Sequence, residues 1–278
     1  MFDGKLSLVL PAHNEAENIE AVVGRALEVL PSVTREHEII VVNDGSKDAT
    51  PEIIDRLAAE HPTVFAVHHP VNRGYGAALT SGFAAATGDH IMFMDADRQF
   101  DIGDIRALLP YVPHYDIVAG YRIKRQDPFY RRLYGKLFGL SVWILFRVHM
   151  RDIDCAFKIF RADLLKGMQL TTPGALINTE MLARSKRRGA TIVEVGVHHY
   201  PRLAGESSGG SPRVVLRAMG ETVRLWFRLR REDRTEPALA DTAVVPAPNS
   251  GSRAKLLAPF AALATLAGGL LFWRKRRQ

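Results

Sequence analysis

The sequence predicts an α/β fold built on a mostly parallel β-sheet flanked by helices. Over the first 120 residues, short apolar runs alternate with segments of helical periodicity, which is the pattern of repeated strand–helix–strand units. Polar and acidic residues follow directly after several of the apolar runs. Hydrophobic residues make up 47% and charged residues 24% of the 278 residues, an ordinary globular composition that argues against disorder, collagen and coiled coil.

The strands and helices follow from periodicity. Short apolar runs bounded by polar residues predict buried strands at residues 6–10, 38–42, 64–67, 90–94 and 116–119. Between them, apolar residues recur at helical spacing, which predicts helices at residues 16–30, 49–60, 77–86 and 102–109. Strands that alternate with helices pair in parallel, and such a sheet binds ligands beyond the carboxyl ends of its strands.

Polar clusters gather at that predicted edge. They follow three of the predicted strands, as Pro11–Ala12–His13–Asn14–Glu15, Asn43–Asp44–Gly45–Ser46 and Asp95–Ala96–Asp97. Because the carboxyl ends of parallel strands lie at one edge of a sheet, we expect these clusters to meet there. The sequence therefore predicts a binding site at this edge.

The pair Asp95 and Asp97 is the sharpest chemical signal. Two carboxylates one residue apart at the end of a strand can share one divalent cation, and carboxylate oxygens suit Mg²⁺ or Mn²⁺. Gln99 could add a neutral oxygen, and a diphosphate is the ligand that such ions favour. A D-x-D pair also occurs by chance in solvated loops, so its place after the apolar run 90–94 is what favours a metal site.

Two further segments admit either a binding role or a structural one. Asn43–Ser46 carries acceptors that could read the N–H groups of a nucleobase, and it consists of turn-forming residues. Asn72–Gly76 precedes a predicted helix, so it is either a helix-entry turn or a place where backbone approaches an anionic ligand. Neither the dinucleotide-binding glycine pattern nor a P-loop is present.

Charge and cysteine content limit the function classes. The net charge of +7 predicts an anionic partner, either nucleic acid, a phosphorylated substrate or an anionic membrane surface. The bases lie beside apolar stretches and no RNA- or DNA-binding motif occurs, which argues against nucleic acid. The single cysteine, Cys155, excludes a disulfide framework within the chain and an all-cysteine metal site. Nothing in the sequence predicts an oligomeric state.

Two basic amphipathic segments lie within a predicted first domain, residues 1–234. Residues 129–149 and 213–231 interleave arginines and lysines with large apolar residues. Such segments either lie on an anionic membrane or form ordinary surface helices with a solvated face. Because the chain begins with an apolar run too short for a signal peptide, we expect this domain on the cytoplasmic side of the cell membrane.

The last 44 residues differ in character. Residues 235–252 are rich in Pro, Ala, Ser and Thr and predict a flexible linker. Residues 253–278 predict a single hydrophobic membrane-anchor helix with a basic tail, since 256–273 are apolar and about 27 Å long as a helix. The alternatives are a re-entrant helix and a buried core helix.

Four motifs occur together in a recognisable order and spacing. Residues 11–15, 43–46, 72–77 and 95–99 resemble those of the inverting family 2 glycosyltransferases, which have the GT-A fold. Asp152–Arg161 resembles the D-x-x-C-G-F-K motif of dolichyl- and polyprenyl-phosphate sugar synthases, and Arg202–Ser208 resembles their later basic segment. The chain departs from the usual pattern at Ala156, where glycine is usual, and at Asn43, where aspartate is common.

The resemblance implies transfer of one sugar from a nucleotide-diphosphate sugar to polyprenyl or dolichyl phosphate at the cytoplasmic membrane face. Inversion would give a β-linked product, with Mg²⁺ or Mn²⁺ as cofactor. The alternatives are a family 2 enzyme with another lipid or a cell-wall glycan as acceptor, and a non-catalytic, membrane-anchored nucleotide-binding scaffold. GDP-mannose, UDP-glucose and UDP-N-acetylhexosamine all stay open as donors.

The resemblance also implies roles for individual residues. The catalytic residues would be Asp97, Arg122 and Arg202, and the metal ligands Asp95, Asp97 and Gln99. Contacts to the nucleotide sugar would come from Pro11, His13, Glu15, Val42, Asp44, Asp95, Ala96, Asp97, Arg122 and Arg202. The acceptor phosphate would be held by Lys158, Arg202 and Ser207. Glu180 is expected to orient other groups rather than to act as a base, because a lipid phosphate is already ionised near neutral pH.

Overall fold

The computed structural model describes residues 1–123, 129–201 and 212–232, and for 129–134, 136 and 212–217 it describes the backbone alone. The described strands are β1 (Phe2–Ala12), β2 (Thr34–Asp44), β3 (Val64–His69), β4 (His90–Met94), β5 (Ile117–Arg122), β6 (Phe157–Arg161) and β7 (Ile192–Val197). They form one sheet in the order β3-β2-β1-β4-β6-β5-β7. The strand β6 runs antiparallel to both of its neighbours, and the other pairs are parallel.

Helices flank this sheet. They are α1 (Ile19–Val33), α2 (Thr50–Glu60), α3 (Tyr75–Ala85), α4 (Ile105–Leu108), α5 (Phe129–Phe146), α6 (Ala162–Lys166), α7 (Ile177–Arg187) and α8 (Pro212–Glu232), with 3₁₀ turns at Ile102–Asp104 and Leu109–Tyr111. The packing of α1 shows why the predicted periodicity forms helices. Its buried residues Ile19, Val22, Val23, Ala26 and Leu30 follow the three- and four-residue spacing of one helical face.

The predicted mostly parallel sheet with flanking helices is confirmed. The strands β6 and β7 and the helix α7 lie in a part of the chain for which no elements were predicted. No helix among the residues that the structure describes is long and apolar enough to cross a membrane. The predicted linker 235–252 and the predicted anchor 253–278 lie outside the described residues.

The reversal of β6 matters for the site. Because β5 and β4 are both antiparallel to β6, they run in the same direction as each other and as β1 and β2. The carboxyl ends of β1, β2, β4 and β5 therefore lie at one edge of the sheet. The loop that enters β6, residues 152–156, reaches the same edge because β6 starts where the parallel strands end.

A buried carboxylate stabilises the opposite, amino-terminal region of the sheet. Glu38 is 4% exposed and accepts hydrogen bonds from the Ser7 hydroxyl at 2.6 Å and from the N–H and hydroxyl of Thr87 at 2.6 and 2.7 Å. The Lys5 ammonium lies 3.0 Å from the same carboxylate. Burial would raise the pKa of Glu38, but these four partners outweigh burial and lower its pKa to about 2.

This cluster predicts a pH-dependent contribution to stability. Since the folded-state pKa of Glu38 lies below its ordinary value, the contribution is present above about pH 4.5 and is lost as the pH falls toward 2. We expect Glu38→Gln to lower the free energy of unfolding by roughly 3 kcal/mol at pH 7 and by much less at pH 3. Urea unfolding at both pH values checks this, with Glu36→Gln, an exposed residue of the same strand, as the control. An equal loss at both pH values would contradict the assignment.

Candidate active site

The carboxylates of Asp95 and Asp97 lie directly after β4, at the edge where the parallel strands end. Asp97 is 4% exposed, and its Oδ1 accepts the backbone N–H of Gln99 at 3.1 Å. Asp95 Oδ1 is buried and has no hydrogen-bond partner among the described residues. Burial and the negative charge of Asp97 raise the pKa of Asp95 to about 7, against the opposing charges of Lys158 and Arg122.

Tyr75 is a site residue that the sequence reasoning missed. It begins α3, and its hydroxyl faces the Asp95 carboxyl. The hydroxyl is buried and, within the described part of the chain, makes no hydrogen bond of good geometry. Burial and the charges of Asp95 and Asp97 hold the pKa of Tyr75 well above its ordinary value. Its place in the motif Asn72–Gly76, just before a helix, was the only available signal.

The donor groups fit a divalent cation that is shared between protein and substrate. Asp95 offers an orphaned, buried oxygen, and Asp97 lies two residues further along the same loop. The described residues contain no group of three or more His, Cys, Asp or Glu that could hold an ion by themselves. Mg²⁺ is commonly bound by one or two carboxylates together with substrate phosphates, which is the arrangement this pair suits. The Gln99 amide donates to the Tyr200 carbonyl at 3.3 Å, so its role as a ligand stays a prediction.

The predicted nucleotide-binding residues of the first two strands lie side by side. Pro11 pairs with Val42 in the register of β1 and β2, and both are buried. His13 is exposed, and its Nδ1 lies 2.8 Å from the Asp44 carbonyl, which makes that nitrogen the donor. Glu15 is partly exposed and accepts the Asn18 amide at 2.7 Å. Ala96, between the two carboxylates, is buried as well, and the contact of all these residues with a nucleotide sugar stays a prediction.

Asp44 has a different setting from the one predicted. It is 3% exposed, and its carboxylate accepts the backbone N–H groups of Arg73 and Gly74 at 2.9 and 2.8 Å. His69 Nδ1 lies 2.7 Å from Asp44 Oδ1. Although burial opposes ionisation, these contacts lower the pKa of Asp44. Its side chain therefore holds the loop before α3, and the prediction that it contacts the nucleotide sugar is not supported by this geometry.

The glycines at the start of α3 allow the close approach of protein backbone. A Cβ on Gly74, whose φ is +96°, would lie 2.6 Å from the Pro173 carbonyl oxygen, and one on Gly76 would lie 2.1 Å from that of Thr172. The Gly76 N–H donates to the Pro173 carbonyl at 2.7 Å. The segment therefore enters α3 as a turn that packs against the loop at 172–173, in agreement with the helix-entry interpretation.

Glu180 organises the facing loop. It is fully buried on α7 and accepts hydrogen bonds from the backbone N–H groups of Thr171 and Thr172 and from the Thr171 hydroxyl. Arg184 donates to it from one turn further along the helix, at 3.0 Å. With its oxygens engaged in these contacts, Glu180 orients the loop at 171–174, in agreement with the orienting role expected of it.

Arg122 is held by a carboxylate that the sequence reasoning did not assign. Its Nε and Nη2 donate to the two oxygens of Asp152 at 2.6 and 2.8 Å, and its backbone N–H donates to the same side chain at 3.3 Å. Asp152 is 6% exposed and Arg122 is partly exposed at the end of β5. Burial opposes the charge of Arg122, but Asp152 raises its pKa above the ordinary range.

Lys158 does not hold an acceptor phosphate, which corrects the prediction. It is fully buried within β6, and its ammonium donates to the carbonyls of Ile153 and Cys155. A phosphate could reach it only if the loop 152–156 moved away. The other two residues predicted for the acceptor, Arg202 and Ser207, lie outside the described residues.

A cavity of about 780 Å³ adjoins Arg122. Its wall is mainly apolar and comes from α5 and from the segment 149–154. The lining residues include Phe138, Leu140, Trp143, His149 and Arg151. Arg122 and Arg151 line the cavity together with Asp152 and Asp154, and the Arg151 guanidinium stacks on the Tyr121 ring at 4.7 Å. The mainly apolar wall suits an apolar molecule.

Solved structures share this fold. Mannosyl-3-phosphoglycerate synthase from Rubrobacter xylanophilus aligns with a TM-score of 0.64 at 20% identity, over 84% of this chain and 76% of that one. Glucosyl-3-phosphoglycerate synthase from Mycobacterium tuberculosis, in a complex with Mn²⁺, UDP and glucosyl-3-phosphoglycerate, aligns with a TM-score of 0.59 at 22% identity, over 82% and 80%. At these identities the likeness shows the fold alone.

Curated relatives are closer in sequence. Glycosyltransferase AglD of Haloferax volcanii is 32% identical over 235 residues, which are 81% of this chain and 37% of AglD. The undecaprenyl-phosphate 4-deoxy-4-formamido-L-arabinose transferase of Aeromonas hydrophila is 32% identical over 209 residues, 74% of this chain and 63% of that protein. The chain thus spans less than two thirds of the length of these relatives.

Most of the chain also matches a known protein family directly. Residues 7–181, more than half of the chain, match the family described as Glycosyl transferase family 2. The matched region runs from β1 to α7 and contains the carboxylate pair, Tyr75, Arg122 and the loop that enters β6. The chain belongs to glycosyl transferase family 2.

Proposed function

We propose that this chain transfers a single sugar from a nucleotide-diphosphate sugar to a polyprenyl phosphate, with inversion at the anomeric carbon. One observation carries the proposal: Arg122 lines the apolar cavity, and its charge also acts on the Asp95 carboxylate. In this proposal the site for the donor diphosphate and the site for an apolar chain with an anionic end are therefore neighbours. The similarity to undecaprenyl-phosphate 4-deoxy-4-formamido-L-arabinose transferases supports the same acceptor class.

The donor would lie along the edge formed by β1, β2 and β4. In this proposal Pro11, His13, Glu15 and Val42 contact the nucleoside, and Asp95, Ala96 and Asp97 lie beside the diphosphate. A divalent cation bound at Asp95 and Asp97, Mg²⁺ or Mn²⁺, would neutralise charge on the nucleoside diphosphate as it leaves. Arg202 is proposed to contact a phosphate as well, from outside the described residues.

The acceptor needs little proton chemistry. An oxygen of the lipid phosphate forms the new bond to the anomeric carbon while the bond from that carbon to the donor diphosphate breaks. Because a phosphate monoester has its second pKa near 6, this oxygen carries charge at neutral pH and requires no general base. The protein instead has to hold two anionic groups close together, so positioned cations such as Arg122 contribute most.

Two helices would bring the site to a membrane surface. Leu137, Trp143 and Ile144 are exposed on α5, which packs against α8. On α8 the residues Leu225 and Leu229 are buried, and the exposed apolar residues Met219, Val223 and Phe227 recur every fourth position. Arginines flank this stripe, as anionic lipid requires. This arrangement supports membrane association of a cytoplasmic catalytic domain, and the anchor predicted at 253–278 would add to it.

A donor panel tests the proposal. Purified full-length chain in detergent would receive polyprenyl phosphate, Mg²⁺ or Mn²⁺ and, one at a time, radiolabelled GDP-mannose, UDP-glucose and UDP-N-acetylhexosamine. Label extracted into organic solvent with one of these donors is the expected result. Label that reaches diacylglycerol or a glycan instead would favour the family 2 alternatives. Nucleotide binding without transfer to any acceptor would favour the scaffold.

A further inference from the structure

Lys158 is a fully buried cation that has no role in the proposed reaction. It lies in the middle of β6, opposite Phe93 of β4 and Ala119 of β5, with its ammonium 5.6 Å from the centre of the Phe93 ring. Burying an ammonium ion is costly unless its hydrogens are all bonded. An apolar side chain of similar length would fill the same space, so packing alone does not account for a lysine here.

The ammonium is saturated by the loop that enters β6. It donates to the Ile153 carbonyl at 3.0 Å, to the Cys155 carbonyl, and to the Asn178 side-chain oxygen at 3.4 Å. A lysine has three N–H donors, and each has an acceptor here. Two of the three acceptors are main-chain groups of one short loop, which is thereby tied to the interior of the sheet.

The same loop carries the carboxylate that clamps Arg122. Asp152 immediately precedes Ile153, and its two oxygens accept Nε and Nη2 of Arg122. Asp152 thus fixes the orientation of the Arg122 guanidinium, and Lys158 fixes the backbone of the loop that carries Asp152. A shift of this loop would move the carboxylate and rotate the guanidinium with it.

We propose that Lys158 and Asp152 are positioning residues that hold the Arg122 guanidinium at the junction between the carboxylate pair and the apolar cavity. The role of Arg122 in the reaction rests on the proposed function, whereas the chain of contacts does not. Lys158 acts through Arg122 and touches no substrate. Without the lysine, two carbonyls lose their donor and the loop loses its fixed place.

A double-mutant cycle separates positioning from general stability. We expect Lys158→Met to lower kcat/KM for the lipid phosphate by about 10- to 100-fold, because small misplacements of a positioning group cost that much. In an Arg122→Ala background the same change should have less than about a twofold effect, since the group it positions is gone. Lys166→Met, an exposed lysine on α6, is the control and should leave both backgrounds unchanged.

A spectroscopic readout tests the contacts without any turnover. In the full-length chain labelled with ¹⁵N-arginine, the Nε–H signal lost in Arg122→Lys identifies Arg122, and its hydrogen bond to Asp152 should protect it from exchange with solvent. We expect Lys158→Met and the isosteric Asp152→Asn to speed that exchange at least about tenfold, and Lys166→Met to leave it unchanged. If Lys158→Met does not fold, the exchange is measured instead in two single variants, Asp152→Asn and Asn178→Ala. The second removes the side-chain acceptor of Lys158.

The outcomes separate this inference from the proposed function. Faster exchange in a chain that transfers no sugar would support the positioning contacts and count against the proposed function. An active wild-type chain whose Arg122 signal is unchanged in Lys158→Met and Asp152→Asn would overturn the positioning role. Equal losses of activity from Lys158→Met with and without Arg122 would also overturn it, because they would mean that Lys158 acts on stability alone.

Discussion

Replacing Asp97 by alanine is expected to lower sugar transfer by about 10³-fold or more while the chain stays folded. Asp97 lies just beyond the end of β4, where its carboxylate accepts the Gln99 N–H, and we expect the chain to fold without this carboxylate. The reaction loses more, because Asp97 and Asp95 are the carboxylates proposed to bind the cation beside the departing diphosphate. Initial rates with the donor found in the panel, and thermal unfolding of the same samples, measure both effects.

A neighbouring carboxylate provides the control for Asp97. Asp101 accepts the Gly103 N–H at 2.8 Å and pairs with Arg25 at 3.2 Å, so it faces α1 rather than the carboxylate pair. Asp101→Asn should retain most of the activity. Excess EDTA should reproduce the loss seen in Asp97→Ala. Full activity of Asp97→Ala, or of the wild-type chain in EDTA, would rule out the cation site at Asp97.

Arg122→Ala is expected to give the second large loss of sugar transfer, and it also lowers the free energy of unfolding. The change removes the Arg122 guanidinium from its pair with the buried Asp152 carboxylate, which costs about 3 kcal/mol of unfolding free energy. It also removes the cation at the junction of the two proposed phosphate sites. Arg122→Lys should restore activity only in part, because an ammonium lacks the fork that matches both oxygens of Asp152.

A double variant distinguishes the two effects of Arg122. Arg122→Ala/Asp152→Ala removes both members of this pair, so the unfolding free energy should recover most of the loss. Activity should not recover, because the cation is still absent. Urea unfolding and steady-state kinetics on the single and double variants make the comparison. Recovery of activity together with stability would show that Arg122 contributes to folding and not to the reaction.

Much of the fold was accessible from local patterns. The first five strands and the helices between them have apolar runs and helical spacing in their sequences, and these patterns involve nearby residues alone. The buried face of α1 is an example. The strand β6 was harder to predict because its sequence, Phe-Lys-Ile-Phe-Arg, places a charged residue at a buried position. Lysine is almost never fully buried, so a structural lysine was not expected here, and the family resemblance alone implied that Lys158 holds the acceptor phosphate.

The residues of the site were easier to predict than their partners. Strand ends located the carboxylate pair and Arg122 correctly at one edge. The pairing of Arg122 with Asp152 joins residues 30 positions apart, and it depends on the antiparallel insertion of β6, which no local signal reveals. Asp44 is similar, since its partners His69, Arg73 and Gly74 come from 25 to 30 positions away. The sequence identifies residues that can bind ligands or take part in catalysis, but the fold determines which of them already pair with other groups of the protein.

The most direct test of the proposed function compares two acceptors that differ only in their phosphate. Full-length chain, the donor found in the panel and a divalent cation would be given either polyprenyl phosphate or the corresponding polyprenol, and nucleoside diphosphate release would be measured. We expect nucleoside diphosphate to be released with polyprenyl phosphate and not above background with polyprenol, because no general base is proposed to remove a hydroxyl proton. Equal release with the alcohol, or release that does not depend on either lipid, would contradict it.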